Sequence, residues 1–486
     1  MKKTASKFHP FVLPLLAAVI FICLAAINLR TSIWFDEAYS AYLIRGDYGQ
    51  IWNMTAVDVH PPFYYFCLKT WSLIFGNSDF ALRFMSVFFA AVGIIFAYQV
   101  MKRWFGEKTA GFASIFLAIS PFLIRYGQEM RMYGVVFAII MGATWALDVA
   151  LKEKKKWAWA IYAILVSLGM WTHYYSALAW LAHLIYIGFY MRKHGLQKSI
   201  FWVYPLAVAL FIPWLPFMIK QFTFVQSGAW IYVPPVSPNT VIEIFSQGIM
   251  GLSADSVTGW FVPLFIGAVA VAIAVIAKTW GKFSKTERCN VWFFATLALV
   301  PPLLLAILSL PPMKPTFIPR YVTYSIALIM PLIAIFLASA PKIKNKTFAF
   351  ASMLLIPCCA TIGIVQADTR TVESDTVNIV AEVKKASDTA EPIFINADEL
   401  NIYDAFFYET ERNPIYGTKI DYKWKSLDPI REYGMNDAGN VEERIADIDS
   451  FWYVTYDAEE EVAFDGFNVA ENRDNNSYRA FRFVRN

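Results

Sequence analysis

Charge is what this chain has least of. Only 16% of its 486 residues are Asp, Glu, Lys or Arg, against 57% apolar, whereas a soluble domain carries about 25% charged residues. That shortage excludes a water-soluble globule over most of the length, and a mean hydropathy of +0.44 agrees. Acidic residues are scarcest early. Residues 1–366 hold 12 of the 38, and residues 367–486 hold the other 26 against 13 Lys and Arg, a balance of −13. Cysteine is rarer still, with five in all. Cys23, Cys67, Cys289, Cys358 and Cys359 all lie in the apolar part, so the acidic tail has neither a disulfide framework nor a cysteine-based zinc site. The adjacent Cys358 and Cys359 read as packing. Internal repeats are absent, and no nucleic-acid partner is expected.

What is present is long apolar runs. A spanning helix needs about 20 such residues. Eleven segments qualify: 11–29, 80–101, 109–124, 132–151, 157–175, 177–191, 200–219, 260–277, 291–310, 321–340 and 347–366. The first follows a basic start, as in a signal peptide, but continues too far for a typical apolar core of one and is read as an uncleaved span. Pro62–Gly76 is shorter and punctuated, which predicts an interfacial or re-entrant helix. The expected architecture is a polytopic α-helical membrane domain over 1–366, with a first outer loop at 30–79, and a small α/β domain over 367–486. Pro392–Ile395 and Phe451–Thr455 read as strands of that domain.

Sidedness follows from basic residues, which favour cytoplasmic loops. Of the 29 Lys and Arg before the tail, 20 fall on one side, from Lys2, Lys3 and Lys7 through to Lys342, Lys344 and Lys346. The expected placement is therefore a multi-pass protein of the cell membrane, with a cytoplasmic N-terminus and an extracytoplasmic tail. Most acids of the apolar part, including Asp36, Glu37, Asp58 and Glu129, then face outward, and Asp148 lies at an inner helix end. Nucleotides are not available outside, so an outer-face transferase needs a donor carried on lipid.

The outer loops hold the candidate chemistry. Trp34-Phe35-Asp36-Glu37 puts two carboxylates among aromatics just after the first span. Such a pair can be solvated acids beside an interface tryptophan. It can equally supply a general base, because a carboxylate beside apolar surface is a better proton acceptor than one in bulk water. Asp58-Val59-His60-Pro61-Pro62 follows, its prolines fixing the chain. His60 could cap the next helix, bind substrate, or join Asp58 and Asp36 at a divalent cation, and the metal requirement stays open because the spacing matches no standard zinc pattern. In Arg125–Tyr133, Glu129 and Arg131 sit at the membrane boundary, where ionisable groups are costly unless paired or working. They could pair with each other, or Arg131 could bind phosphate. Thr172-His173-Tyr174-Tyr175 and Pro319-Arg320-Tyr321 mark two more outer helix ends, readable as interface anchors or as further substrate contacts. His183 reads as structural.

Taken together these segments resemble the protein O-mannosyltransferase-like branch of the GT-C glycosyltransferases, family 39 and its bacterial relatives. The matching pieces are Trp34–Glu37, Asp58–Pro62, Phe75-Gly76-Asn77-Ser78-Asp79-Phe80-Ala81-Leu82-Arg83, Glu129-Met130-Arg131-Met132-Tyr133, His173-Tyr174-Tyr175 and Pro319-Arg320-Tyr321. The likeness is dense over 30–180 and sparse beyond. It implies a helical bundle with its active site in the first outer loop, a polyprenyl-phosphate sugar as donor, and inversion at the anomeric carbon. It places Asp36 at the catalytic aspartate with Glu37 beside it. Asp58, His60, Arg83, Glu129, Arg131, Tyr133, His173, Tyr174 and Arg320 are then the candidate substrate contacts. The tail does not resemble the repeat domain of the eukaryotic members, so the acceptor could be protein, lipid or wall polymer. A transporter or flippase, and a polysaccharide polymerase or ligase, are the competing classes. The first would place ionisable groups at mid-membrane, and the second usually carries its large outer loop late in the chain.

Overall fold

The computed structural model describes residues 12–27, 29, 31–227, 233–340, 345–369, 375–386, 390–397, 405–406, 413–418, 436–456, 462–475 and 477–486. The basic N-terminal residues Lys2, Lys3 and Lys7, and Lys342 and Lys344, lie outside them. The chain forms two compact units. One comprises Met1–Leu29, Val59–Tyr64 and Arg83–Thr369; the other comprises Arg30–Asp58, Tyr65–Leu82 and Arg370–Asn486.

Each of the eleven apolar segments lies on helix. In chain order these are α1 (Val12–Ala26), α2 (Phe35–Leu43), α3 (Tyr48–Val57), α4 (Phe63–Phe75), α5 (Asp79–Phe105), α6 (Glu107–Ala118), α7 (Pro121–Gly127), α8 (Tyr133–Glu153), α9 (Lys156–Thr172), α10 (Ser176–His194), α11 (Ile200–Phe211), α12 (Leu215–Gln226), α13 (Asn239–Met250), α14 (Phe261–Thr279), α15 (Lys285–Leu308), α16 (Thr323–Ile326), α17 (Ile329–Leu337) and α18 (Lys346–Thr369). Among the described residues, six helical stretches are long and apolar enough to cross a membrane. The pair α6 and α7, bent by 58°, passes the same test only when taken together, as a broken span or a re-entrant loop. The bend has a local cause: Ser120 caps α7 and Pro121 opens it, so the helix restarts in a new direction. α4, the predicted interfacial segment, has 13 residues, about 20 Å of helix, and is too short to span.

The acid near the C-terminal end of α8 has a structural explanation. The Asp148 side chain on α8 is fully buried and is met by Arg103 Nε at 2.5 Å, Lys152 Nζ at 2.5 Å and Trp104 Nε1 at 2.6 Å. Three donors satisfy this carboxylate and clasp α5 to α8. His183 is likewise held, by Thr144 Oγ1 at 3.0 Å and Tyr162 OH at 3.1 Å. These polar contacts join neighbouring helices where water cannot compete.

In the second unit, helix α19 (Asp375–Ala386) precedes a six-stranded sheet. Its strands are β1 (Ile393–Asn396), β2 (Ile415–Gly417), β3 (Asn436–Asp437), β4 (Ser450–Thr455), β5 (Phe467–Asp474) and β6 (Arg479–Arg485), in the order β3-β2-β1-β4-β6-β5. β1 runs parallel to β2 and β4, while β6 is antiparallel to β4 and β5. The two strands legible in sequence, β1 and β4, are the buried centre, as expected of short continuous apolar runs. Phe394, Phe451, Phe481 and Phe483 form the core.

Glu391 ties this sheet together. It is 1% exposed and accepts from Ser450 Oγ at 2.6 Å, Trp452 Nε1 at 2.8 Å and Arg482 Nε at 2.9 Å. Glu391→Ala would leave a half-buried guanidinium and a buried indole N–H without their acceptor. A loss of about 3 kcal/mol is expected for removing one member of such a buried pair. Denaturant unfolding followed through Trp452 fluorescence measures it, and an unchanged midpoint would refute this role.

Candidate active site

Asp36, Glu37 and Asp58 belong to the second unit. Asp36 and Glu37 lie in the first turn of α2, whose N-terminal positive dipole end suits acids. Glu37 is buried, and its Oε2 accepts from the Trp34 backbone N–H at 3.4 Å, closing the helix start. Asp36 is only half-buried, and its backbone oxygen accepts from Ser40 Oγ at 2.9 Å. The two neighbouring carboxylates therefore have different surroundings: Glu37 is turned to the backbone of its own helix, and Asp36 is the more open. Asp58 is buried at the C-cap of α3, where its N–H donates to Thr55 O at 3.3 Å. In the same unit α4 is steadied against the start of α5 by Trp71 Nε1 donating to Ala81 O at 2.9 Å.

His60, Arg83, Glu129, Arg131, Tyr133, His173, Tyr174 and Arg320 belong to the first unit, and there a cluster forms. Arg131 lies in the tight connection from α7 to α8, where its N–H donates to Glu129 O at 2.7 Å. Its Nη2 lies 3.3 Å from His60 Nε2. A guanidinium can only donate, so the imidazole accepts. Ser86 on α5 holds the same connection, its Oγ donating to Arg131 O at 3.0 Å and lying 3.4 Å from Tyr64 OH. Gly134 permits this fit, since a Cβ there would collide with the Ser86 backbone carbonyl.

His173 sits beyond the last residue of α9, in the turn to α10, and is 3% exposed. Its ring centroid lies 6.3 Å from that of His60, 6.2 Å from Tyr133, and 5.5 Å from both Tyr175 and Tyr321. Tyr175 and Tyr321 stack on each other at 5.2 Å and 14°. His173 is buried among these rings, where an imidazolium is disfavoured over the neutral ring.

The structure thus brings together His60, Arg131, Tyr133 and His173 and adds Tyr175, Tyr321, Tyr64 and Ser86, which sequence had not singled out as site residues. Tyr174 does not join them. It points to α11 and α12, donating to Gln221 Oε1 at 2.5 Å and accepting from Trp214 Nε1 at 2.7 Å. Arg83 Nη1 donates to Leu29 O at 3.3 Å and ties α5 to the end of the first apolar segment. Glu129 lies in the same connection as Arg131, and Arg320 lies in the turn before α16. Among the described residues, no three His, Cys, Asp or Glu side chains are grouped as metal ligands.

Residues 59–217 match the family model described as dolichyl-phosphate-mannose-protein mannosyltransferase. Over 149 residues the chain is 26% identical to an undecaprenyl phosphate-alpha-4-amino-4-deoxy-L-arabinose arabinosyl transferase of Photorhabdus laumondii; the match covers 29% of this chain and 27% of that relative. In fold the chain is similar to ArnT from Cupriavidus metallidurans. The apo form matches with a TM-score of 0.57, 11% identity and 97% coverage of both chains, and the form bound to undecaprenyl phosphate with 0.57, 13% and 97% of both. It is also similar to the Archaeoglobus fulgidus oligosaccharyltransferase, with a TM-score of 0.51 and 12% identity over 85% of this chain and 65% of that one.

Proposed function

Starting from a chain that belongs to the GT-C superfamily of glycosyltransferases, we propose an inverting enzyme that moves a sugar from a polyprenyl-phosphate carrier to an acceptor hydroxyl on the outer face of the membrane. The observation that carries this reading is the Arg131–His60 pair, a buried guanidinium hydrogen-bonded to an imidazole and set beside the aromatic ring of His173. A guanidinium at a membrane boundary, with its planar fork of donors, suits the phosphate of a lipid-borne donor.

The chemistry follows from the bonds exchanged. The acceptor oxygen attacks the anomeric carbon from the face opposite the phosphate, and the carbon–oxygen bond to phosphate breaks. Asp36, the more open carboxylate of α2, takes the acceptor proton. Glu37 closes the first turn of α2 and so fixes where Asp36 stands. The departing phosphate gains a second negative charge, which needs cations more than it needs an acid. Arg131 supplies one with His60 at its side, and Arg320 and Arg83 are further cationic contacts. Asp58, Glu129, Tyr133 and His173 complete the proposed substrate contacts, whereas Tyr174 bonds Gln221 and Trp214 instead. The bilayer holds the carrier, and the acceptor is a protein, a lipid or a wall polymer.

The test uses purified protein in liposomes, radiolabelled polyprenyl-phosphate sugars and extracted envelope material as acceptor. Label should leave the carrier and appear in the acceptor fraction. Labelled carrier that crosses the bilayer intact, with no sugar ever released, would instead identify a flippase.

A further inference from the structure

Resting on the reading of this site as one for a lipid-linked sugar, we infer that Tyr174 is a positioning residue for the transfer. Bonded to the junction of α11 and α12, it fixes the orientation in which its neighbour His173 meets the donor. The basis is the turn from α9 to α10. His173 is extended there, with φ −161° and ψ 121°, and Tyr175 is helical, with φ −67° and ψ −5°. Extended backbone sends the next side chain to the opposite face. His173 and Tyr175 accordingly join the ring cluster, their centroids 5.5 Å apart, and Tyr174 goes the other way. Its phenol donates to Gln221 Oε1 at 2.5 Å and accepts from Trp214 Nε1 at 2.7 Å. Both partners are buried, where a hydrogen bond meets little competition from water. A rotation of the turn that moved the His173 ring would pull the Tyr174 hydroxyl off both.

α12 also reaches the other side of the cluster. Its last residue, Gln226, accepts from the Lys314 N–H at 3.1 Å. Lys314 lies in the connection from α15 to α16, the segment that carries Tyr321. Tyr321 stacks on Tyr175 at 5.2 Å, and Tyr324 OH on α16 donates to Tyr175 O at 2.7 Å. The contacts close a circuit: from α12 through Tyr174 to Tyr175, across to Tyr321, and back through Lys314 to α12. The rings that would meet the sugar are thus set before it arrives. Tyr174 gives its proton away from the cluster, so its influence on the reaction passes through its neighbours. A small misplacement of a group that orients the reacting centre costs up to about 100-fold in rate.

Full-length protein in liposomes is offered undecaprenyl-phosphate-linked glucose, mannose, galactose and arabinose, and single-turnover transfer is followed with whichever the wild-type protein uses. Tyr174→Phe keeps the ring and removes both bonds, and should lower the rate at saturating donor by about 10- to 100-fold. Tyr204→Phe is the control. It breaks a phenol–phenol bond of 2.8 Å to Tyr162, between α9 and α11 and outside the cluster. It should lower the melting temperature comparably and leave the rate unchanged. On top of His173→Gln, Tyr174→Phe should cost less than about threefold, because an effect passed through His173 is lost with that ring. Gln221→Leu removes the phenol's acceptor and should reproduce the Tyr174→Phe defect; it decides the matter if Tyr174→Phe does not fold. A wild-type rate in the variant tested, an equal loss in Tyr204→Phe, or the full loss repeated on top of His173→Gln overturns the proposal and leaves the transferase reading intact. Transfer from none of the four donors by the wild-type protein overturns both.

Discussion

Asp36→Asn is expected to slow sugar transfer by about 10²–10⁴-fold while leaving the protein folded, the range lost when a positioned general base is removed. The substitution keeps the shape of the side chain and removes only the charge and the proton-accepting oxygen. α2 has other supports: Glu37 closes its first turn at Trp34, and Ser40 bonds the Asp36 backbone oxygen rather than its side chain. The loss of one favourable charge at a helix N-terminus, about 0.3–1 kcal/mol, is far too small to imitate the kinetic effect. Single-turnover transfer from a labelled donor, with a melting curve alongside, separates the two. Glu37→Gln is the matched control. Its amide oxygen can still accept from Trp34, so its effect should be much smaller. A wild-type rate in Asp36→Asn would show that the proton goes elsewhere.

The contrast between those two acids marks how far sequence carried. Eleven apolar segments were legible as helix because period and length alone define them, and β1 and β4 were legible because buried central strands are continuous apolar runs. α13 was not, since its Glu243 and Gln247 interrupt a run of only 12 residues, and its apolar face appears only when it is wound as a helix. β5, with the sequence Phe-Asn-Val-Ala-Glu-Asn-Arg-Asp, is a largely exposed edge strand and carries no burial pattern to read. The site divides the same way. His60, Arg131 and His173 could be named as candidates from residue types at helix ends, and the structure brings these three together. That Arg131 bonds His60, 71 positions earlier, was not legible, because a long-range pair leaves no trace in a single sequence. Nor could sequence tell that Tyr174 and Tyr175, neighbours in the chain, go opposite ways: one bonds Gln221 and Trp214, the other stacks on Tyr321.

Arg131→Ala should lower kcat/KM for the donor by about 10²–10³-fold, the cost of removing one preorganised donor to a developing anion. The case rests on how little freedom this arginine has. Its carbonyl is held by Ser86 Oγ at 3.0 Å, its N–H is turned to Glu129 O at 2.7 Å, and its guanidinium is aligned by His60 at 3.3 Å. The fork is set before any ligand arrives, so little entropy is lost when phosphate binds. Alanine keeps the backbone contacts and loses the charge. Lysine restores the charge as a single point and cannot present two donors side by side, so Arg131→Lys should recover only part of the loss. His60→Gln keeps an acceptor near the guanidinium and should be milder than either. The defect should appear in the dependence on donor concentration and be independent of the acceptor. Donor titration of the three variants, with melting temperatures to show that each is folded, tests this ranking. If Arg131→Ala responded to donor as the wild-type protein does, the phosphate would have to be held by another cation, and Arg320 would be the next to examine.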